Sequence, residues 1–213
     1  MNPHDRLLLD AAKAGDTDGV RAALAAGAAP ETRDEDLRTP LLLASLGDHV
    51  GAAEVLVAAG ADPDAPDSRE DTAWLVTGVT GSVRMMRTLL PAGPDLTRRN
   101  RFGGISVIPA AERGHVAYVR AVLAETDIDV DHVNRLGWTA LLEAVILGDG
   151  GSRHEEVVRL LLAAGADPRL ADAEGVTAYE HAVRRGFDGL VRLLRAAQER
   201  PGGDGDVDGG GVR

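Results

Sequence analysis

The sequence contains no cysteine. A disulfide framework, a thiolate metal site and a cysteine nucleophile are excluded at once. Aromatic residues make up only 3% of the 213 residues. The core therefore has to be built from Ala, Leu and Val, which suits helices packed at close range. No apolar run approaches the roughly 20 residues that a helix needs to cross a bilayer. Met1-Asn2-Pro3-His4-Asp5 is polar, and Leu7-Leu8-Leu9 is too short for the apolar centre of a signal peptide. We therefore expect a soluble, cytoplasmic chain with no membrane partner. Positive charge is scarce too: 23 Lys and Arg stand against 34 Asp and Glu, a formal net charge of -11. An acidic surface repels phosphate backbones, so nucleic acid is disfavoured as a partner. Metal-ligand spacings and a phosphate loop are also missing, and no cofactor is expected.

What the sequence does contain is a recurring stop. Ala25-Ala26-Gly27-Ala28, Ala58-Ala59-Gly60-Ala61-Asp62-Pro63, Pro91-Ala92-Gly93-Pro94-Asp95 and Ala163-Ala164-Gly165-Ala166-Asp167-Pro168 are versions of one element. The first three glycines are 33 residues apart, and Gly93 to Gly165 spans two such periods plus a small excess. A matching start also recurs, as Thr39-Pro40-Leu41-Leu42, Thr72-Ala73-Trp74-Leu75, Thr139-Ala140-Leu141-Leu142 and Thr177-Ala178-Tyr179-Glu180. Threonine at a helix start can accept from free backbone N–H groups, and proline at the next position costs nothing there. Glycine after the second helix can take the left-handed conformation that ends it.

On these residues the chain resembles ankyrin-repeat proteins over roughly residues 5 to 198. Thr39-Pro40-Leu41-Leu42 resembles the family's Thr-Pro-Leu-His with Leu in place of His, and Gly114-His115 resembles the Gly-His that joins its two helices. The resemblance implies an all-α solenoid of about six helix-turn-helix repeats with β-turn or hairpin fingers. The repeats are expected at about 5–33, 34–66, 67–99, 100–133, 134–171 and 172–198, as one domain over 1–198, followed by a disordered Gly- and Asp-rich tail over 199–213. A narrower resemblance, to a subgroup of small bacterial ankyrin proteins, is carried by Ile108-Pro109-Ala110, His132-Val133-Asn134 and Leu136 to Glu143. It marks repeats four and five as the distinctive part and implies no reaction.

Ankyrin stacks bind with their finger tips and with the groove lined by the inner helices. The groove position reads Asp10, Leu43, Val76, Pro109, Glu143 and His181 down the repeats. One turn on come Lys13, Leu46, Val79, Glu112, Ile146 and Arg184. Glu112 and Glu143 then face one groove from helices about 8–10 Å apart, wide enough to bracket a basic side chain or a small ligand. Pro109 inside a first helix removes a hydrogen bond unless that helix starts late. Arg101, Phe102, His132, Asn134 and Trp138 are expected to crowd one end of the groove, with Trp74 nearby. Plainer roles stand beside these. His115 belongs to the structural Gly-His turn, Trp138 can simply cover a finger, His132 can bond a neighbouring backbone, and Asn134 takes the place of a turn Asp. Gly148 to His154 is an insertion whose glycines suggest mobility, from which Asp149 or His154 could reach the groove.

Two functions from different classes fit. The first is a non-catalytic module that binds another protein through the groove and fingers of repeats three to five, by Trp138, Glu143, Arg101, Phe102, Glu112, His132 and Trp74. The second is a small-molecule-binding protein, or a cofactor-independent acid–base enzyme of a bacterial biosynthetic pathway. Its site would lie in the same groove, with Glu143 as base, His132 or Glu112 as acid, and Asp149 nearby. A DNA-binding role would rest on Arg98, Arg99, Arg101 and Arg135 alone.

Overall fold

The computed structural model describes residues 2–199; the expected tail lies outside the described residues apart from Glu199. Twelve α-helices follow one another in six antiparallel pairs, and there is no strand among the described residues. The inner helices are α1 (Pro3–Ala14), α3 (Pro40–Leu46), α5 (Ala73–Thr80), α7 (Val107–Glu112), α9 (Ala140–Ile146) and α11 (Ala178–Arg185). The outer helices are α2 (Thr17–Ala25), α4 (Val50–Ala58), α6 (Val83–Leu89), α8 (Val116–Glu125), α10 (Ser152–Ala163) and α12 (Asp188–Gln198). Each inner helix packs on the next inner helix and each outer helix on the next outer one, giving a two-layered solenoid. None of the described helices is long and apolar enough to cross a membrane.

The starts and stops have local causes. Thr39, Thr72, Thr139 and Thr177 each accept a hydrogen bond from the N–H three residues on, at 3.1–3.3 Å. Each such cap contributes about 1 kcal/mol. Gly165 ends α10 with φ at 98°, a conformation closed to most side chains. The fourth pair departs at both ends. Ile105 stands where repeats two, three, five and six have the capping Thr, and Ser106 makes no cap bond. Helix α7 accordingly begins one position late, at Val107. Pro109 then falls in the first turn, where N–H groups have no partner inside the helix, so the proline costs no hydrogen bond. Ser106 is itself helical, and its carbonyl lies against Gly78 of α5 so closely that a Cβ there could not be accommodated.

Small and aliphatic side chains fill the space between the layers, with Trp74 and Tyr118 as the largest fully buried ones. The Thr77 hydroxyl donates to the Trp74 carbonyl at 2.7 Å and accepts from the Tyr118 hydroxyl at 2.7 Å. Successive repeats are also pinned by side chains. His49 Nε2 donates to the Lys13 carbonyl and His115 Nε2 to the Val79 carbonyl, both at 3.1 Å and both spanning 36 residues. The histidine of the Gly114-His115 turn is thus an inter-repeat fastener.

Candidate functional site

Each finger turns on one residue five positions before the Thr cap or its equivalent, Ile105: Asp34, Asp67, Asn100, Asn134 and Asp172. In every case its Oδ1 accepts from the backbone N–H groups two and four residues ahead, at 2.8–3.1 Å. This closes the hairpin and leaves the second side-chain atom for another partner, which for Asp34 is Arg38 of its own finger at 2.8 Å. Nine residues after each turn residue comes the first groove position: Leu43, Val76, Pro109, Glu143 and His181.

In repeat five these two positions meet. Asn134 Nδ2 donates to Glu143 Oε1 at 2.8 Å, and both residues are buried, Glu143 to 7% exposure. The carboxyl of Glu143 is pushed up to about 7, chiefly by burial and further by the charge of Glu112. The Asn134 hydrogen bond and the charge of Arg113 pull the other way. Repeat four lacks the pair. Asn100 keeps the same turn, but Pro109 offers it no acceptor, and its Nδ2 makes no hydrogen bond among the described residues.

Around Glu143 the groove widens into a hollow of about 410 Å³ between repeats three and five. Val79, Ile108, Pro109 and Leu147 supply apolar wall from three successive inner helices and their ends. Phe102 and Leu136, at two neighbouring finger tips, overhang it. The ions near its mouth are mostly matched. Arg101 lies 3.8 Å from Asp71 and stacks on the Phe102 ring at 4.5 Å. Arg113 pairs with Glu112 at 2.9 Å.

The hollow thus gathers Arg101, Phe102, Glu112 and Glu143. The other expected members lie elsewhere. Trp74 is 0% exposed and belongs to the core beneath the groove, because its place in the helix start faces the outer layer. Trp138 is half-buried against the core and does not line the hollow. His132 is buried, and its Nε2 donates to the Gly103 carbonyl at 2.7 Å, tying one finger to the next. It is therefore committed to backbone and does not oppose Glu143 as an acid. Asp149 accepts from His154 Nδ1 at 2.7 Å and from the Gly151 N–H at 2.9 Å, away from the hollow. The insertion is not a loose loop: Gly148 is buried against His154, and Gly150 lies under the Phe187 ring. His154 Nε2 meanwhile reaches the Glu112 carbonyl at 2.9 Å.

Sequence reasoning passed over Asp71, and it gave Asn134 a turn role and a place at the end of the groove but no bond to Glu143. The readable signal was the nine-residue spacing between turn and groove positions, which pairs Asn with Glu and Asp with His in neighbouring repeats. Among the described residues no group of three or more His, Asp or Glu is placed to hold a metal ion.

Known proteins agree with this architecture. The sequence matches the family described as "Ankyrin repeats (3 copies)" over residues 79–172 and 107–202, and "Ankyrin repeat" over residues 36–68. It is 42% identical over 195 residues to the ankyrin repeat protein YahD of Escherichia coli (strain K12), covering 92% of this chain and 96% of that protein. A crystal structure of an ankyrin repeat domain from Acinetobacter baumannii AYE superposes with a TM-score of 0.85 at 43% identity, covering 90% of this chain and 97% of that one. The ankyrin repeat domain of Bcl-3 does so with a TM-score of 0.79 at 28% identity, covering 90% and 85%. With its paired helices, capped starts and glycine stops repeating in register, the chain belongs to the ankyrin repeat family.

Proposed function

We propose that this chain is a protein-binding module whose partner face is the hollow and the overhanging fingers of repeats three to five. Ankyrin repeats generally serve as protein–protein interaction modules. What supports the placement is where apolar surface is left bare. Nine large apolar side chains are exposed among the described residues, and four of them, Val79, Phe102, Leu136 and Leu147, line this one hollow. Scattered apolar residues need no explanation, but a cluster in a concavity with a polar rim is the mark of an interface. Phe102 with Arg101 stacked on it supplies the aromatic and arginine pair typical of interface hot spots.

The test is site-directed photo-crosslinking in native cells. A photoreactive residue replaces Phe102 in the hollow or, as a control, Ala124 on the exposed outer face of α8. A discrete protein adduct from position 102 and none from 124 is expected, with recovery lost when Leu136→Ala is added. Equal adducts from both faces, or adducts from the outer face alone, would overturn the placement.

A further inference from the structure

We propose that the hollow seats a cationic side chain, a lysine or arginine of the partner protein, with Glu143 Oε2 as its acceptor. This rests on the reading of the groove as the partner face. Of the two carboxylate oxygens of Glu143, Oε1 is taken by Asn134 and Oε2 has no hydrogen bond among the described residues. It is not one of the sealed, unpartnered oxygens of the interior, which are those of Ser45, Asp64 and Ser106. It therefore keeps access to the hollow that Glu143 lines. A carboxylate held by a neutral amide and otherwise buried lacks a counter-ion, and an incoming cation supplies one.

The neighbouring charges point the same way. On the finger of repeat three, Asp71 is matched by Arg101, and Arg69 is exposed at the edge. On α7, Glu112 is matched by Arg113. On α11, His181 is taken by Asp172 at 2.6 Å and Arg184 is exposed. On α10, His154 is taken by Asp149 and the Glu112 carbonyl. Glu143 is thus the one carboxylate of the hollow with no ion pair among the described residues.

The shape also fits. Lysine and arginine join an aliphatic stem to a charged tip, so they match a site with apolar walls and a single carboxylate at depth. Val79, Ile108, Pro109 and Leu147 would flank the stem. A carboxylate ligand would meet Glu143 as a like charge, and a purely apolar one would leave Oε2 desolvated and unpaired. The unpaired Asn100 amide offers a donor for a main-chain carbonyl of the same partner segment.

The test uses N-acetyl-arginine amide and N-acetyl-lysine amide as probes, with N-acetyl-citrulline amide as the uncharged match to arginine. Binding is followed by NMR on the Asn134 side-chain amide, which touches Glu143 directly. Both cationic probes are expected to give saturable shifts in the millimolar range, and citrulline to bind about tenfold more weakly. Glu143→Gln should abolish the response while keeping the fold, because its amide oxygen still accepts from Asn134. Affinity should also rise about tenfold from pH 6 to pH 8, as a carboxyl that titrates at about 7 becomes ionised. No saturable shift, equal binding of citrulline, or an unchanged response in Glu143→Gln would each overturn the proposal. If Phe102 crosslinks a partner but no probe binds, the groove reading stands and the cation pocket falls. If probes bind but Phe102 captures nothing, the pocket stands and the placement of the partner face falls.

Discussion

Repeats five and six carry the same two-part device with opposite electrostatic signs. In each, a turn residue reaches the first groove position nine residues later. In repeat five the pair is Asn134 and Glu143, bonded at 2.8 Å. In repeat six it is Asp172 and His181, bonded at 2.6 Å. The backbone geometry is shared, since both turn residues accept from the same two N–H groups ahead of them. Only the exchange of acceptor and donor differs. In repeat five burial lifts the Glu143 carboxyl to about 7, and a neutral amide cannot hold it down. In repeat six burial also raises the Asp172 carboxyl, but hydrogen bonds from His181 and from the Val176 and Glu174 N–H groups more than offset this. The net result is a carboxyl below its ordinary range. The comparison teaches that this fold position is electrostatically neutral in itself. Which partner stands across the nine-residue gap decides whether the pair favours a proton or expels one.

The largest test of that contrast is Asn134→Asp. It removes the donor that Glu143 relies on and sets a second carboxylate in its place. We expect a loss of about 2–4 kcal/mol at pH 8, where both groups would have to be ionised, and much less at pH 5, where Glu143 keeps its proton and can donate it. Urea unfolding at the two pH values measures this, and an equal loss at both would refute the like-charge explanation.

Glu143→Gln should have a smaller effect of opposite sign. The native carboxyl is raised from 4.5 to about 7, so between those values the folded chain holds a proton that the unfolded chain has lost. The stabilising contribution is therefore fully present below 4.5, declines as pH rises through about 7, and is gone above it. Removing the titration should gain about 1–3 kcal/mol at pH 8 and almost nothing near pH 4. A gain that does not vary with pH would show that Glu143 is strained for another reason.

The smallest effect is expected for Asp172→Asn. Its folded carboxyl is lowered, so its contribution is present above the unfolded value of 3.8 and is lost as pH falls through the folded one. The variant should lower Tm modestly at pH 7, and the loss should shrink progressively as pH falls below 3.8. A Tm loss that persists in acid would assign the role of Asp172 to shape instead of charge.

Most of the solenoid was legible in the sequence because its signals are local. The Thr caps and the glycine stops act within one turn of the residues that carry them, so their 33-residue rhythm survives in a single chain. The site was legible only in part. Glu143 and Glu112 could be placed on the concave side from helical spacing, and Arg101 and Phe102 at its rim from their place in the finger turn. Trp74 could not, because an aromatic at a helix start faces either the groove or the second layer, and only packing decides. Asp149 looked like a free ionisable group, and for His132 a bond to backbone stood beside a role as acid. His132 donates to the Gly103 carbonyl of a neighbouring finger, and Asp149 accepts from the His154 ring at the far end of a folded insertion. Backbone carbonyls leave no trace in composition, so a side chain committed to one is hard to tell from a reactive one.

The histidine fasteners carry a consequence for how such a chain tolerates change. His49 and His115 each close a span of 36 residues, whereas His154 closes one of 42 onto the equivalent carbonyl. The extra length is taken up before the ring and leaves the joint itself untouched. The insertion therefore lengthens the chain between α9 and α10 without displacing the point at which repeats four and five are tied.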